Sequence, residues 1–241
     1  MEEILLIGLI IFAGTFVNSV AGFGLALVAM PFLISLLGLK NAVPLMALIG
    51  LSVLFFLSIR FRRALSFGMV WRLLAASLVA IPFGVQILGQ VPEIITLTFL
   101  GVVIVLYVLY RAFKLPMPAL SNPNWAFLFG AIGGLLSGAY STSGPPIVTY
   151  ADARRWSPDE FRSNLSAYFF TNTIFTIIVH YFSGNLTGLV IQSWLLALPF
   201  MAAGLAAGYY MDRFINQDRF SKIVLILLFI LGGRMAFSWA F

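Results

Sequence analysis

The chain has 241 residues, of which 61% are hydrophobic and only 9% charged, and its formal net charge is +6. Soluble domains carry about 25% charged residues, so this composition excludes an ordinary water-soluble fold. The basic residues stand in short loops between apolar runs, which is typical of membrane orientation signals and argues against a nucleic-acid partner. Without cysteine and with a single histidine, the chain lacks the residues for a disulfide or a zinc-type metal site, and we expect no cofactor and no enzyme activity.

Apolar segments of about 20 residues, the length that crosses a bilayer, follow one another along the whole chain. They predict an all-α polytopic membrane protein. In the first half, helices are predicted at residues 4–20, 25–37, 42–59, 66–88 and 94–113. After a loop rich in proline and asparagine, a broken segment is predicted at 125–151, and helices at 158–182, 186–209 and 220–239. Ser157 and Glu160 predict a capping box at the start of the helix at 158–182.

Two of these apolar segments are too long for one span and are interrupted by small residues. The interruption in residues 4–39 is Ala21-Gly22-Phe23-Gly24, which we name the first break. The interruption in residues 125–151 is Ser141-Thr142-Ser143-Gly144-Pro145-Pro146, which we name the second break. The breaks occupy corresponding positions in the two halves. Such a pair of Gly- or Pro-interrupted segments is the best sequence-level indication of a transporter's substrate site.

The recurring order predicts two repeats, each a broken helical hairpin followed by three transmembrane helices. Their bounds are 1–113 and 125–241, joined by a linker loop at 114–124 within one membrane domain. If each hairpin returns to the side from which it came, each repeat crosses the membrane three further times, so the second repeat is inverted. This arrangement places most basic residues on one side, namely Arg60, Arg62, Arg63, Arg111, Lys114, Arg154, Arg155, Arg162, Arg213, Arg219 and Lys222. That side is expected to be cytoplasmic and both termini periplasmic.

The breaks predict a binding site for a small anion. A helix that restarts inside the membrane presents free N–H groups and the positive end of its dipole, and anions bind at such helix ends. We expect helices to restart at Gly24 and after Pro146. The side chains of Ser141, Thr142 and Ser143 are expected to add hydroxyl donors. The predicted substrate-binding residues are Asn18, Ala21, Gly22, Phe23, Gly24, Ser141, Thr142, Ser143, Gly144, Pro145 and Asn172. The alternative is close helix packing, which also uses small residues and hydroxyls.

Three other features have two interpretations each. Asn172 lies mid-span, where it either contacts the solute or bonds a neighbouring helix. The Gly134-xxx-Gly138 and Gly204-xxx-Gly208 patterns indicate packing faces, within the chain or in a homodimer. His180 is predicted near the outer end of its span, where it is either tolerated at the interface or relays protons.

The residues around both breaks resemble the signatures of the TauE/SafE family of sulfite exporters. The first signature is Asn18-Ser19-Val20-Ala21-Gly22-Phe23-Gly24 with Met30-Pro31. The second is Gly133-Gly134-Leu135-Leu136-Ser137-Gly138, then Ser143-Gly144-Pro145-Pro146 and Phe161-Arg162. The resemblance covers almost the whole chain and implies a multi-pass permease of the bacterial inner membrane. It implies a small sulfur-containing anion such as sulfite, thiosulfate or an organosulfonate.

The predicted function is therefore a secondary transporter for such an anion, working by alternating access in contact with membrane lipid. A passive anion channel of the same fold and a non-transporting membrane subunit are the alternatives.

Overall fold

The computed structural model describes residues 2–21, 24–60, 67–113 and 118–237. This part of the chain contains ten α-helices, five in each predicted repeat. The first five are α1 (Glu2–Ala21), α2 (Leu25–Leu37), α3 (Leu39–Arg60), α4 (Phe67–Gln90) and α5 (Glu93–Ala112). The second five are α6 (Trp125–Tyr140), α7 (Gly144–Ala153), α8 (Pro158–Phe182), α9 (Gly188–Asp212) and α10 (Gln217–Ala236).

The predicted all-helical class is confirmed, and most predicted bounds agree with the observed ones within a few residues. α2 and α8 have the predicted bounds, and the capping box forms at the start of α8 between Ser157 and Glu160. α3 begins at Leu39, three residues earlier than predicted. The reason is tertiary, because the Leu39 N–H donates to the Glu93 carboxylate of α5 at 3.1 Å and so gains a cap that the local sequence does not contain.

Within the described residues, five helices are long and apolar enough to cross a membrane, at Glu3–Val20, Val70–Leu88, Glu93–Ala112, Ser163–Phe182 and Gly188–Met211. α6 and α7 are shorter, with 16 and 10 residues, or about 24 and 15 Å at 1.5 Å per residue. A bilayer core is about 30 Å thick, so α7 reaches through about half of it. α1 has 20 residues and α2 has 13, which means that the two hairpins differ in proportions.

The second hairpin returns to the side from which it starts. The Leu120 N–H, before α6, donates to the carbonyl of Ala153 at the end of α7 at 3.0 Å. Arg154 adds Nη1 hydrogen bonds to the carbonyls of Leu120 and Ser121 at 2.6 and 2.9 Å. The two ends of the hairpin are therefore tied together, and its turn lies one helix length away.

The chain forms two compact units that each draw on both sequence halves. The first contains residues 1–49, 90–115 and 186–241, and the second contains 50–89 and 116–185. In the first unit, α1 of the first repeat packs most extensively against α9 of the second. In the second unit, α6 of the second repeat packs against α4 of the first. The first helix of each predicted repeat therefore pairs with the fourth helix of the other.

Glycines make both of these helix pairs unusually close. On α6, a Cβ added at Gly130, Gly134 or Gly138 would lie 2.3 Å from a backbone carbonyl oxygen of α4. On α9, a Cβ at Gly204 would lie 2.2 Å from Thr15 Oγ1, and one at Gly208 would lie 2.5 Å from Ser19 Cβ. The prediction that these patterns are packing faces is confirmed, and the packing is within the chain.

Candidate functional site

The first break separates α1 from α2 in the first unit. α1 ends at Ala21, and Gly24 precedes α2 with φ 103° and no side-chain cap. The first intrahelical bond runs from the Val28 N–H to the Gly24 carbonyl at 2.9 Å. The N–H groups of Leu25, Ala26 and Leu27 consequently have no acceptor within the helix.

Two of the predicted residues, Gly22 and Phe23, lie outside the described residues. Asn18 lies in the last turn of α1 and is half-buried. Its amide makes no hydrogen bond within the described part of the chain. Ser19, by contrast, donates to the carbonyl of Leu205 on α9 at 3.1 Å. Of these two neighbours, Asn18 keeps its donors available and Ser19 contributes to helix packing.

The second break comprises only Ser141, Thr142 and Ser143, between α6 and α7 in the second unit. Ser141 is left-handed with φ 49° and ψ 31°, and its N–H donates to the Ser137 carbonyl at 2.9 Å. A left-handed serine is rare and strained, and such residues concentrate at functional sites. Thr142 and Ser143 are 6% and 7% exposed, so the break lies inside the protein.

The expectation that a helix restarts after Pro146 is wrong, because α7 begins at Gly144. Pro145 and Pro146 then fall in its first turn, where they have no N–H to offer. The Ile147 N–H already points to the Ser143 carbonyl at 3.5 Å. The second break therefore offers fewer backbone donors than the first, and its hydroxyl groups supply more of the polar surface.

Neither restart is capped by a side chain. Ser143 is the N-cap of α7 but makes no capping bond, and its hydroxyl interacts with that of Tyr168 instead. The Thr142 hydroxyl makes no hydrogen bond within the described residues. At Gly144, an added Cβ would meet no heavy atom within 4 Å. Open space therefore adjoins the start of α7 next to a free hydroxyl.

A buried hydrogen-bond network lies beside the second break. Asn172, 1% exposed, bonds through its amide oxygen to Ser137 and through its amide nitrogen to Ser77. The hydroxyl groups of Ser77 and Tyr168 are 2.8 Å apart, and those of Ser137 and Thr176 are 3.0 Å apart. Asn172 thus bonds α4 and α6, as one of its two interpretations requires; its contact with solute stays a prediction.

Sequence reasoning did not select the other members of this network. Ser77 and Ser137 are the only serine or threonine residues of α4 and α6, which is a weak signal, whereas Thr176 is one of several in α8. Tyr168 lies one helical turn before Asn172 and is 0% exposed. It connects the network to Ser143 of the second break.

His180 lies in the last turn of α8, near the end of its span as predicted, and it is fully buried within the protein, at 0% exposed. Its Nδ1 accepts a hydrogen bond from the Asn185 amide nitrogen at 3.1 Å. The proton of the neutral ring therefore lies on Nε2, which faces the Gly138 carbonyl without hydrogen-bond geometry. Gly138 is in the last turn of α6, so the histidine packs against the helix that leads into the second break.

These features define a class: a polytopic helical membrane protein with two interrupted hairpins whose helix starts are left uncapped. The described residues contain no group of three or more His, Cys, Asp or Glu side chains that could hold a metal ion.

Comparison with known proteins identifies the family. Residues 6–235 match the family described as Sulfite exporter TauE/SafE, and the chain belongs to this family of membrane transporters. The chain is also similar to a curated protein of Cupriavidus necator, described as a probable sulfite/organosulfonate exporter TauE. The two are 29% identical over 195 residues, which cover 78% of this chain and 75% of the relative. No solved structure matches the chain.

Proposed function

We propose that this protein is a secondary transporter for a small sulfur-containing anion, such as sulfite, thiosulfate or an organosulfonate. The two broken hairpins bind the anion near the bilayer midplane, and alternating access carries it across. Family membership supports the solute class, and so does the name of the Cupriavidus necator relative. The chain is a permease, not an enzyme, under this proposal.

The observation that carries the proposal is that both restarting helices lack a side-chain cap. Non-helical backbone at membrane depth is tolerated only where it is buried in protein or lines a water-filled cavity. At the first break the donors are the N–H groups of α2 and the amide of Asn18. At the second they are the Thr142 hydroxyl and the N–H of Gly144. Neutral donors of this kind bind an oxyanion without the desolvation cost of a buried cation.

The proposal includes inverted repeats in the bacterial inner membrane, with the basic loops cytoplasmic. Because the chain contains no cysteine, single-cysteine labelling tests this topology without background. Lys40→Cys and Ser183→Cys, at exposed positions, are expected to react with an impermeant maleimide from the periplasm. Arg155→Cys, also exposed, is expected to react only after permeabilisation. Lys40 and Arg155 lie near the start of the third helix of each predicted repeat, so the same sidedness for Lys40→Cys and Arg155→Cys would overturn the inverted arrangement.

Solute binding is tested first by thermal shift of the purified protein with sulfite, thiosulfate, sulfate and alkylsulfonates. A ligand present at 100 times its Kd stabilises the folded state by about 2.7 kcal/mol. Stabilisation by at least one sulfur oxyanion is expected, and no stabilisation by any of them favours the non-transporting subunit.

Transport is then measured in proteoliposomes with matched variants. Thr142→Val and Asn18→Leu remove donors at the two breaks and are expected to weaken counterflow strongly. Thr98→Val is the control, because Thr98 lies outside both breaks and its hydroxyl bonds the Ile94 carbonyl of its own helix at 2.8 Å. Normal counterflow by both break variants would refute the site. Saturable counterflow supports a carrier, whereas single-channel currents would show that the protein is a passive anion channel instead.

A further inference from the structure

A small cavity lies at the opposite end of α7 from the second break. Its volume is about 70 Å³, and Arg72, Tyr150, Arg154 and Trp156 line it together with three small residues. We name it the arginine pocket. α7 has 10 residues, so the pocket lies about 15 Å from the start of that helix. It is separate from the break residues proposed to carry the solute.

Two guanidinium groups line this cavity, and none of the described residues that line it is acidic. Arg72 is half-buried and stacks on the ring of Trp71, with its Cζ 4.7 Å from the ring centroid. Within the described residues it has no carboxylate partner. Arg154 donates from Nη1 to the carbonyls of Leu120 and Ser121, which leaves its other N–H groups available to a ligand. Two like charges beside one cavity repel each other, and a bound anion would relieve that repulsion.

Tyr150 provides an independent observation. The residue is 2% exposed, and its ring packs against those of Phe129 and Trp156. Its hydroxyl has no hydrogen-bond partner in the described part of the chain, although buried tyrosine hydroxyls usually find one. Tyr150 lines the cavity, and both Arg72 and Arg154 act on it electrostatically. The hydroxyl therefore has no partner within the described residues and belongs to a side chain that lines the same cavity as both cations.

We propose that the arginine pocket binds one oxyanion group, held by Arg72, Arg154 and the Tyr150 hydroxyl. Guanidinium groups bind sulfur and phosphorus oxyanions through charge-assisted hydrogen bonds. A water needs about 10–15 Å³ of such cavity volume, so the cavity has room for a single central atom with its oxygens. A purely structural role explains the bonds of Arg154 to the chain before α6. It does not explain the unpaired Arg72 or the free hydroxyl of Tyr150.

The test uses the full chain in nanodiscs of neutral phosphatidylcholine, titrated calorimetrically with sulfate and sulfite. Arg72→Gln is expected to weaken binding about tenfold or more, because a charged hydrogen bond is lost. Tyr150→Phe keeps the ring packing and is expected to weaken binding several-fold. Arg155→Gln removes the same charge at an exposed position outside the pocket and is the control. Thr142→Val is expected to weaken only the sulfite binding that is independent of Arg72, and Arg72→Gln only the other component, which separates the pocket from the proposed transport site.

A second arm distinguishes a free anion from a lipid headgroup, which would offer the same oxyanion chemistry. In nanodiscs containing phosphatidylglycerol, a bound headgroup would compete with sulfate in the wild type but not in Arg72→Gln. Binding that depends on Arg72 in either arm supports the pocket and identifies its source. Equal binding by the wild type, Arg72→Gln and Tyr150→Phe in both lipids would overturn it. Melting without anion shows whether each variant is folded.

Discussion

Replacing Gly134 by alanine tests the close packing that holds α6, and with it the second break. An ideal Cβ at this position would lie 2.3 Å from the Ser77 carbonyl oxygen and 2.8 Å from Ser77 Cα. Ordinary contact begins near 3.4 Å, so α4 and α6 must separate by roughly 1 Å to admit one methyl group. Neither contact atom is the end of a flexible side chain, so neither can move aside alone.

The cost follows from two contributions. Overpacking of this kind typically costs about 1–3 kcal/mol. Separation of the helices also weakens the bonds of Ser77 to Tyr168 and Asn172, each worth about 0.6 kcal/mol inside a membrane protein. We expect a total loss of about 2–4 kcal/mol, which for a chain of this size lowers Tm by roughly 5–15 °C.

The assay is thermal unfolding of the purified variant in detergent, followed by counterflow in proteoliposomes. Gly233→Ala is the matched control, because its added Cβ would meet no heavy atom within 4 Å, and its Tm is expected to stay unchanged or to rise slightly. Counterflow by Gly134→Ala should fall because α6 ends at the second break. An unchanged Tm for Gly134→Ala would refute the packing argument.

Gly24→Ala is expected to cost about 1–2 kcal/mol of stability through its left-handed backbone and to abolish counterflow per folded protein. Gly38→Ala is the control, because Gly38 has φ 70° but lies outside the breaks, and its counterflow is expected to persist. Equal counterflow by the two variants would contradict a role of the first break in transport. Asn172→Leu is expected to lower stability by about 1–2 kcal/mol through lost helix–helix bonds, and a raised KM for the anion would show solute contact as well; an unchanged Tm would disprove the network. Hydrogen bonds from Ser157 hold the pKa of the exposed Glu160 below its ordinary value of 4.5, so its stabilisation is present above pH 4.5 and lost as the pH falls through the lower, folded-state pKa. Glu160→Ala should therefore reduce Tm at pH 7, and a reduction that persists unchanged in strong acid would contradict the assignment.

Local features of the sequence predicted the class of protein, its helices and the places where they are interrupted. The length of the apolar runs reflects the thickness of the bilayer, because each segment that crosses the bilayer must be long enough to do so. The end of α1 at Ala21 and the end of α6 at Tyr140 follow from glycine, serine and proline nearby. The capping box of Ser157 and Glu160 is likewise local, since both partners lie in one turn.

The candidate site was predicted less completely. The sequence indicated the break residues but not that Tyr168 links Ser143 to a network with Ser77. It also placed the start of α7 after Pro146, because proline was read as part of the interruption although it is suited to the first turn of a helix. The place of His180 near the end of α8 was predicted, but its burial was not, because burial depends on the packing of other helices around it.

What the sequence determined by itself was where each helix runs, because helix formation in lipid depends on apolar length and on breakers close in the chain. Only the tertiary structure decided that α1 pairs with α9 and α6 with α4, which joins the two halves in each compact unit. It likewise decided that Arg72 and Tyr150 line one cavity with Arg154. These pairings depend on which helix faces meet, and a glycine accepts a close partner without specifying from which part of the chain that partner comes.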